Sequence, residues 1–310
     1  GEHEEAQQLW QRTLEAPGTE DETLLLKACA ALDLGHIDQA FSIASTVINA
    51  LQSKTFKAVV GRFDINKSIK ELPEVIGSPT GNSEKPLLIA VADTVYAERF
   101  ASDLVHSVAK NSPSVNIHIH IIAPDPIQGD CLLGHNLPAH SISWEVDTKA
   151  SRVTFASRRF VRLAQWRHVI HQPLILTDID SIVNKNIGDA LVALPDFDVA
   201  MRYRKEEVFI HQRVAAGFLA LAPSVESKTF IDSVAAYIRY FEVEGSAAWF
   251  VDQMALLTAR LRAQDFDSQI RITDIPAEYL DWNGQTADSL VWTAKGPRKS
   301  SLKKGRPGDG

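Results

Sequence analysis

The sequence predicts an α/β domain, a mixed and mostly parallel sheet flanked by helices, preceded by a small all-α segment. Three observations carry this. From Leu87 onward, short aliphatic runs alternate with amphipathic helical stretches. Residues 4–60 show helical spacing and no strand-like run. Two of the aliphatic runs, LLIAVA and PLILT, lead directly into aspartates, at the strand carboxyl ends where α/β sheets bind ligands.

The elements follow in order. EEAQQLWQRTLEAPG carries Ala6, Leu9, Trp10 and Leu14 at helical spacing. ETLLLKACAALDLG is a second helix and HIDQAFSIASTVINALQ a third, with Gly35 as the break between them. Residues 64–86 contain Pro73, Gly77, Pro79, Gly81 and Pro86, the composition of a linker. LLIAVAD (87–93) is a buried strand, and Ala97–Lys110 is a helix with Phe100, Leu104, Val105 and Val108 on one face. In 115–125, Ile117, Ile119 and Ile121 alternate with His118 and His120, which predicts a strand with both histidines half-exposed. ISWEV (142–146) is another strand. Residues 154–171 form a basic helix whose Arg158, Arg162 and Arg167 read as a solvated face, with His168 and His171 at its surface end. PLILTDIDSIV (173–183) is one buried strand. Strands are expected at 196–204, 215–223 and 270–276, and helices at 230–241 and 249–261. Gly296-Pro297 forces a turn after 290–295. The resulting division is a helical segment 1–63, a linker 64–85, a main domain 86–299 and a flexible basic tail 300–310.

Composition excludes several classes. The chain has 310 residues, a net charge of −7 and a pI near 5.8, so nucleic acid is not an expected partner. The longest apolar run lies around Ala215–Ala222, far short of the roughly 18–20 residues that span a bilayer. Cys29 and Cys131 match neither a disulfide framework nor a zinc spacing, which favours a reducing compartment and a cytoplasmic location. No G-x-G-x-x-G follows the first strand, against a dinucleotide-dependent dehydrogenase.

The chemistry gathers at Asp178 and Asp180. On a strand they point to one face and Ile179 to the other. Two neighbouring carboxylates repel each other, and a hard divalent cation, Mn²⁺ or Mg²⁺, relieves that repulsion and bridges to phosphates. Asp93 ends the first strand in the same way. Asp196 and Asp198 mark what reads as a second strand mouth, within reach of a donor sugar or acceptor.

This arrangement resembles the D-x-D motif of GT-A glycosyltransferases, most closely family 8 and its relatives. The resemblance runs from about Leu87 to Lys299. VADTVYAERFASDLVHSVAKN is similar to the opening nucleotide-binding strand and helix, which implies that Ala92, Asp93 and Tyr96 meet the base and ribose. SRRFVRLAQWRHVIHQPLILTDIDSIV is similar to the arginine-bearing helix and metal strand, with Arg159 approaching the donor and Asp178 and Asp180 holding the metal. AAGFLALAP resembles the N-A-G strand of the sugar pocket, with Gly217 in it. FVDQMAL resembles the stretch whose acid and amide, here Asp252 and Gln253, lie beside the donor sugar as catalytic residues. VWTAKGPRK resembles the closing segment, which places Gly296 and Lys299 at the pyrophosphate. Two positions depart from the pattern. Ala215 stands where the family has asparagine, and Thr293 where it has a metal-binding histidine.

The resemblance implies the GT-A fold, a Rossmann-like sheet. It also implies transfer of a hexose from a nucleotide diphosphate sugar, UDP favoured, to an acceptor with retention of anomeric configuration. The developing leaving-group charge would fall on the metal, Lys299 and Arg159. The N-terminal helices resemble one and a half tetratricopeptide repeats, since Ala6 and Ala40 are 34 residues apart in similar contexts. They are thereby a candidate surface for a protein partner. Two other readings stand beside this one. A haloacid-dehalogenase-type phosphatase uses a strand followed by D-x-D, as in LILTDIDSIV. A non-catalytic GT-A-like scaffold would explain Ala215 and Thr293.

Overall fold

The computed structural model describes residues 2–47, 72–79, 84–126, 141–207, 209–243, 245, 247–263, 269–282 and 288–293. Three helices come first: α1 (Glu2–Glu15), α2 (Asp21–Asp33) and α3 (Ile37–Ser45). Gly35 ends α2 with a φ of 81°, a left-handed conformation that glycine adopts without steric cost. The His36 N–H then donates to Ala31 O at 2.8 Å and the Gly35 N–H to Leu32 O at 2.9 Å, which closes a Schellman motif. Leu25, Ala28, Cys29 and Leu32 of α2, with Ala40, Phe41 and Ala44 of α3, pack into the same apolar core as the sheet. Burial raises the Cys29 thiol pKa to about 11, so it stays protonated. Cys131 lies outside the described residues.

The main sheet has eight strands in the order β1-β4-β3-β2-β5-β8-β7-β9. They are β1 (Val75–Ile76), β2 (Leu87–Asp93), β3 (Asn116–Ala123), β4 (Ser141–Val146), β5 (Leu174–Thr177), β7 (Val199–Tyr203), β8 (Val214–Leu221) and β9 (Ile272–Asp274). β4, β3, β2 and β5 run parallel, as do β7 and β9, whereas β8 is antiparallel to both of its neighbours and β1 is antiparallel to β4. The mixed, mostly parallel sheet is therefore the one the sequence predicts. A second sheet, β10-β11-β6, is built from β6 (Ser181–Val183), β10 (Leu280–Asp281) and β11 (Val291–Thr293).

Helices cover both faces. Leu87, Ile89 and Val91 of β2 face one core with α5 (Arg152–Arg167), α7 (Val225–Val243) and α8 (Val251–Leu261). Leu88, Ala90 and Ala92 face the other, with α4 (Thr94–Asn111) and α6 (Ile187–Val192). Alternation thus sends every second side chain into a different core, and each fully buried aliphatic contributes about 1.5–3 kcal/mol.

The structure overturns three of these sequence expectations, two of them because helices cover both faces of the sheet. His118 and His120 are fully buried rather than half-exposed, because α5 covers the face they point to. The register sets His118 opposite Ser141 and His120 opposite Ser143. His118 Nδ1 lies 2.7 Å from Ser141 Oγ, both histidines lie 2.8 Å from Ser143 Oγ, and His120 Nε2 lies 3.3 Å from Glu145. Burial keeps both rings neutral and lowers the His118 pKa to about 3. Arg158 and Arg162 are not a solvated face. Both donate to the buried Glu145 carboxylate, and Arg158 also donates to Asp147 at 2.8 Å. Arg167 is buried too, donating to the carbonyls of Gln172 and Ile170 beyond its helix. The third correction is the run 173–183. It is two strands in two sheets, with a turn at 178–180 between them.

Candidate active site

The parallel strands β2 and β5 end at the same side of the sheet, β2 three residues farther out, and their ends open on a cleft of about 1020 Å³. Ala92, Asp93 and Tyr96 line it at the end of β2, and Asp178 and Asp180 at the end of β5. Arg159 reaches it from α5, Gly217 from β8, and Asp252 and Gln253 from the start of α8. Nine of the eleven sequence-predicted site residues therefore meet in one cavity: all except Gly296 and Lys299, which lie outside the described residues.

The local structure explains each placement. Asp93 is the N-cap of α4, and its Oδ1 accepts from the Tyr96 N–H at 2.7 Å. One role of this acid is therefore to start the helix. The Tyr96 ring leans on Phe100, with centroids 5.3 Å apart.

Asp178 leaves β5 opposite the one glycine of β8, and its N–H donates to Gly217 O at 3.3 Å. A Cβ on Gly217 would stand 2.9 Å from Asp178 Oδ2. The pairing of β7 with β8 jumps here, from Met201↔Leu219 to Arg202↔Ala215, so the strand bulges past Gly217 and lets the carboxylate lie across it. Because 178–180 is a turn, strand alternation does not place the two aspartates together as expected. The turn itself brings both to the cleft.

Arg159 joins the two halves of the site. Its guanidinium donates to Asp178 Oδ1 and, at 3.3 Å, to Asp252 Oδ2. Burial opposes its charge, but the Asp178 and Asp252 carboxylates outweigh that and hold it protonated. Burial raises the Asp252 carboxyl pKa, and Arg159 offsets this in part. Gln253, with its side-chain nitrogen turned toward the chain before β8, donates to His211 O at 2.8 Å and Val214 O at 2.9 Å. It ties α8 to that segment as well as lining the cleft.

The two departures from the family pattern have physical consequences. The Thr293 Oγ lies 2.8 Å from Ser181 Oγ, so its hydroxyl is engaged one residue from Asp180. Ala215 leaves a small apolar wall. Among the described residues, no group of three or more His, Cys, Asp or Glu is placed to hold a metal. Asp178 and Asp180 are two carboxylates at one cleft, the number a Mg²⁺-like ion takes when phosphate oxygens and water fill its other positions, and Arg159 already holds one Asp178 oxygen.

Asp196 and Asp198 lie elsewhere. Asp198 precedes β7, at the end of the sheet away from the cleft, and accepts three hydrogen bonds from Arg271 at 2.9–3.2 Å. Burial opposes its charge, and those bonds reverse the effect and hold its carboxyl below the usual range. His168 keeps its expected surface position and faces Asp232 at 3.0 Å.

Sequence reasoning missed two parts of the cleft: Arg152 and Phe155 of α5 with Trp249 and Phe250 before α8, and the charged stretch Arg202–Glu207 with Trp282. Phe250 has a φ of 74°, a strained conformation for a bulky residue. Its ring lies 4.7 Å from His211, whose pKa burial lowers to about 4, with the Arg204 charge adding to the effect. The adjacent Trp-Phe pair just ahead of the V-D-Q stretch was the signal available.

Among the described residues, no helix is long and apolar enough to cross a membrane. No protein-family model matches the chain, and no curated protein sequence matches it. Among solved structures, it is similar to the apo structure of the bifunctional glycosyltransferase WbbM, with a TM-score of 0.46 and 16% identity. The likeness covers 71% of this chain and 47% of that one, so the chain spans about half the length of that protein.

Proposed function

We propose that the chain is a GT-A-like glycosyltransferase that moves a hexose from a nucleotide diphosphate sugar, UDP favoured, to an acceptor with retention of configuration. The observation that carries this reading is the convergence of Asp93, Tyr96, Arg159, Asp178, Asp180, Gly217, Asp252 and Gln253 on one cleft. Segments spread over 160 residues of sequence, each resembling a family motif, line one cavity.

In this reading Ala92, Asp93 and Tyr96 border the base and ribose, and the small Ala92 side chain leaves room for them. Asp180 and Asp178 hold the divalent cation, Mn²⁺ or Mg²⁺. When bound, that ion neutralises the charge that builds on the diphosphate as the glycosidic bond breaks. Arg159, held protonated by Asp178 and Asp252, adds a fixed positive charge beside the same phosphates. Asp252 and Gln253 border the sugar, with Asp252 oriented by Arg159 and by the Gln253 N–H at 2.8 Å. Gly296 and Lys299 would close over the pyrophosphate.

The test is thermal unfolding with UDP, GDP and CDP, each with and without Mn²⁺, on wild type and Asp180→Asn. A nucleotide at 100 times its dissociation constant adds about 2.7 kcal/mol of stability. A UDP shift that needs Mn²⁺ and disappears in Asp180→Asn is the expected result. No shift with any nucleotide, or a shift indifferent to both Mn²⁺ and Asp180, overturns the metal-dependent reading.

A further inference from the structure

The cleft extends beyond its central acids. Its volume, about 1020 Å³, is at the top of the range for a single small ligand, roughly 300–1,000 Å³. The direction of α5 shows where the extra room lies. Arg167, at the end of α5, bonds the carbonyl of Gln172 just before β5, whereas Arg159 meets Asp178 just after β5. The helix therefore runs against the strand, and its first turn projects beyond the end of β5, which β2 outruns by three residues. Arg152 stands seven residues before Arg159, two turns along the same side and about 10 Å farther out.

At that outer level the cleft changes character. The Arg152 guanidinium lies over the Trp249 indole, 5.3 Å from its centroid. Trp249 is 39% exposed, the one aromatic among the exposed large apolar side chains of the described residues, and it stands in the cleft wall. Its neighbour Phe250 holds a left-handed backbone, locked by packing on His211. Nearby charges are already spent on each other: Arg202 pairs with Glu206 at 2.7 Å and Arg204 with Glu207 at 2.9 Å. His211 is neutral. The mouth thus offers a half-exposed indole with the Arg152 guanidinium over one face, and Arg204 stacks on the Trp282 ring elsewhere in the same lining.

We propose that this mouth is a carbohydrate subsite, in which a pyranose ring lies against the Trp249 indole and its hydroxyls accept hydrogen bonds from Arg152. A pyranose matches such a surface, with an apolar C–H face for the indole and a polar rim for the guanidinium. The spacing of about 10 Å from Arg159 places this ring outside the transfer centre, as part of the acceptor. The acceptor class is therefore a glycan of two or more sugars. This assignment rests on the glycosyl-transfer reading of the central acids.

Saturation-transfer NMR with maltotriose, cellotriose and chitotriose tests it on the full chain, on Trp249→Ala, Trp249→Phe and Arg152→Ala, with UDP and Mn²⁺ in parallel. The expected result is transfer to the ring C–H protons of at least one trisaccharide. Trp249→Ala then weakens that binding on the order of tenfold, Trp249→Phe restores much of it, and Arg152→Ala weakens it less. The UDP response stays as in wild type throughout. Three results overturn the subsite: no transfer to any of the trisaccharides, transfer indifferent to Trp249→Ala, or loss of transfer to the uracil protons of UDP in Trp249→Ala, which makes the indole a base platform. Failure of UDP to bind wild type instead defeats the nucleotide-sugar reading, and the trisaccharide result remains a separate measurement.

Discussion

Gly217 has no side chain where the Asp178 carboxylate lies: a Cβ there would stand 2.9 Å from Asp178 Oδ2. Arg159 holds the other carboxylate oxygen, so the carboxylate cannot swing aside without breaking that pair. Gly217→Ala should therefore cost about 1–3 kcal/mol through overpacking. It should also reduce any Mn²⁺-dependent nucleotide shift in thermal unfolding, because Asp178 is displaced from Asp180. Full retention of both stability and the shift would show that Asp178 has room to move.

Arg159 is the buried counter-ion for two acids. Arg159→Ala leaves Asp178 and Asp252 facing each other without it, and a loss of about 3–5 kcal/mol at neutral pH follows. The Asp252 contribution to the pH response should keep its sign and grow. Burial already raises the Asp252 pKa, and removing Arg159 raises it further. A carboxyl whose folded pKa lies above its unfolded value costs stability when ionised and returns it as pH falls. Urea unfolding of Arg159→Ala at pH 7 and pH 5 should show part of the loss recovered at pH 5.

The buried histidines give the opposite response. The folded pKa values of His118 and His211 lie near 3 and 4, below the ordinary 6.5, and that of His120 is also lowered. Their contribution is complete above pH 6.5. It is lost as pH falls below that, because the unfolded chain then binds protons that the native rings refuse. Each can add up to about 1.4 kcal/mol per pH unit. Asp252 and Asp232, whose pKa values burial raises, oppose this in part. Unfolding midpoints should drop between pH 6.5 and 4.5, and the drop should be shallower in His118→Asn. An unchanged slope would place the titrating groups elsewhere.

Arg213 is fully buried at the start of β8 and donates to Asp33 of α2 at 2.9 Å and to Lys205 O at 2.7 Å. It ties the N-terminal helices to the segment that carries Arg204, Glu206 and Glu207 into the cleft. Asp33→Asn should destabilise the chain by about 2–3 kcal/mol, less than a fully enclosed pair because the Asp33 carboxylate keeps some solvent. Since α2 and α3 share one core with the sheet, unfolding should remain a single transition. A separate early transition in far-UV circular dichroism would show that the helices melt on their own.

Most of the fold was legible in the sequence, because periodicity reports which side chains are buried. LLIAVAD forms β2 over the predicted residues, and the expected helices at 97–110 and 230–241 appear with extended ends. The candidate site was legible where a chemical group sits at the end of such an element, as with Asp93, Asp178 and Asp252. What failed depended on neighbours distant in the chain. His118 and His120 alternate as a solvent-facing row would, and only the packing of α5 on that face shows them to be core.

The sequence by itself determined the order of strands and helices and the acids at their ends, since both follow from local pattern and residue chemistry. Tertiary structure alone decided three further things. It broke 173–183 into two strands, it set Arg159 between Asp178 and Asp252, and it turned Phe250 left-handed so that Trp249 faces the cleft. Each is a compromise between groups tens of residues apart. Local propensity carries no information about a counter-ion or a packing partner that the chain brings in from elsewhere.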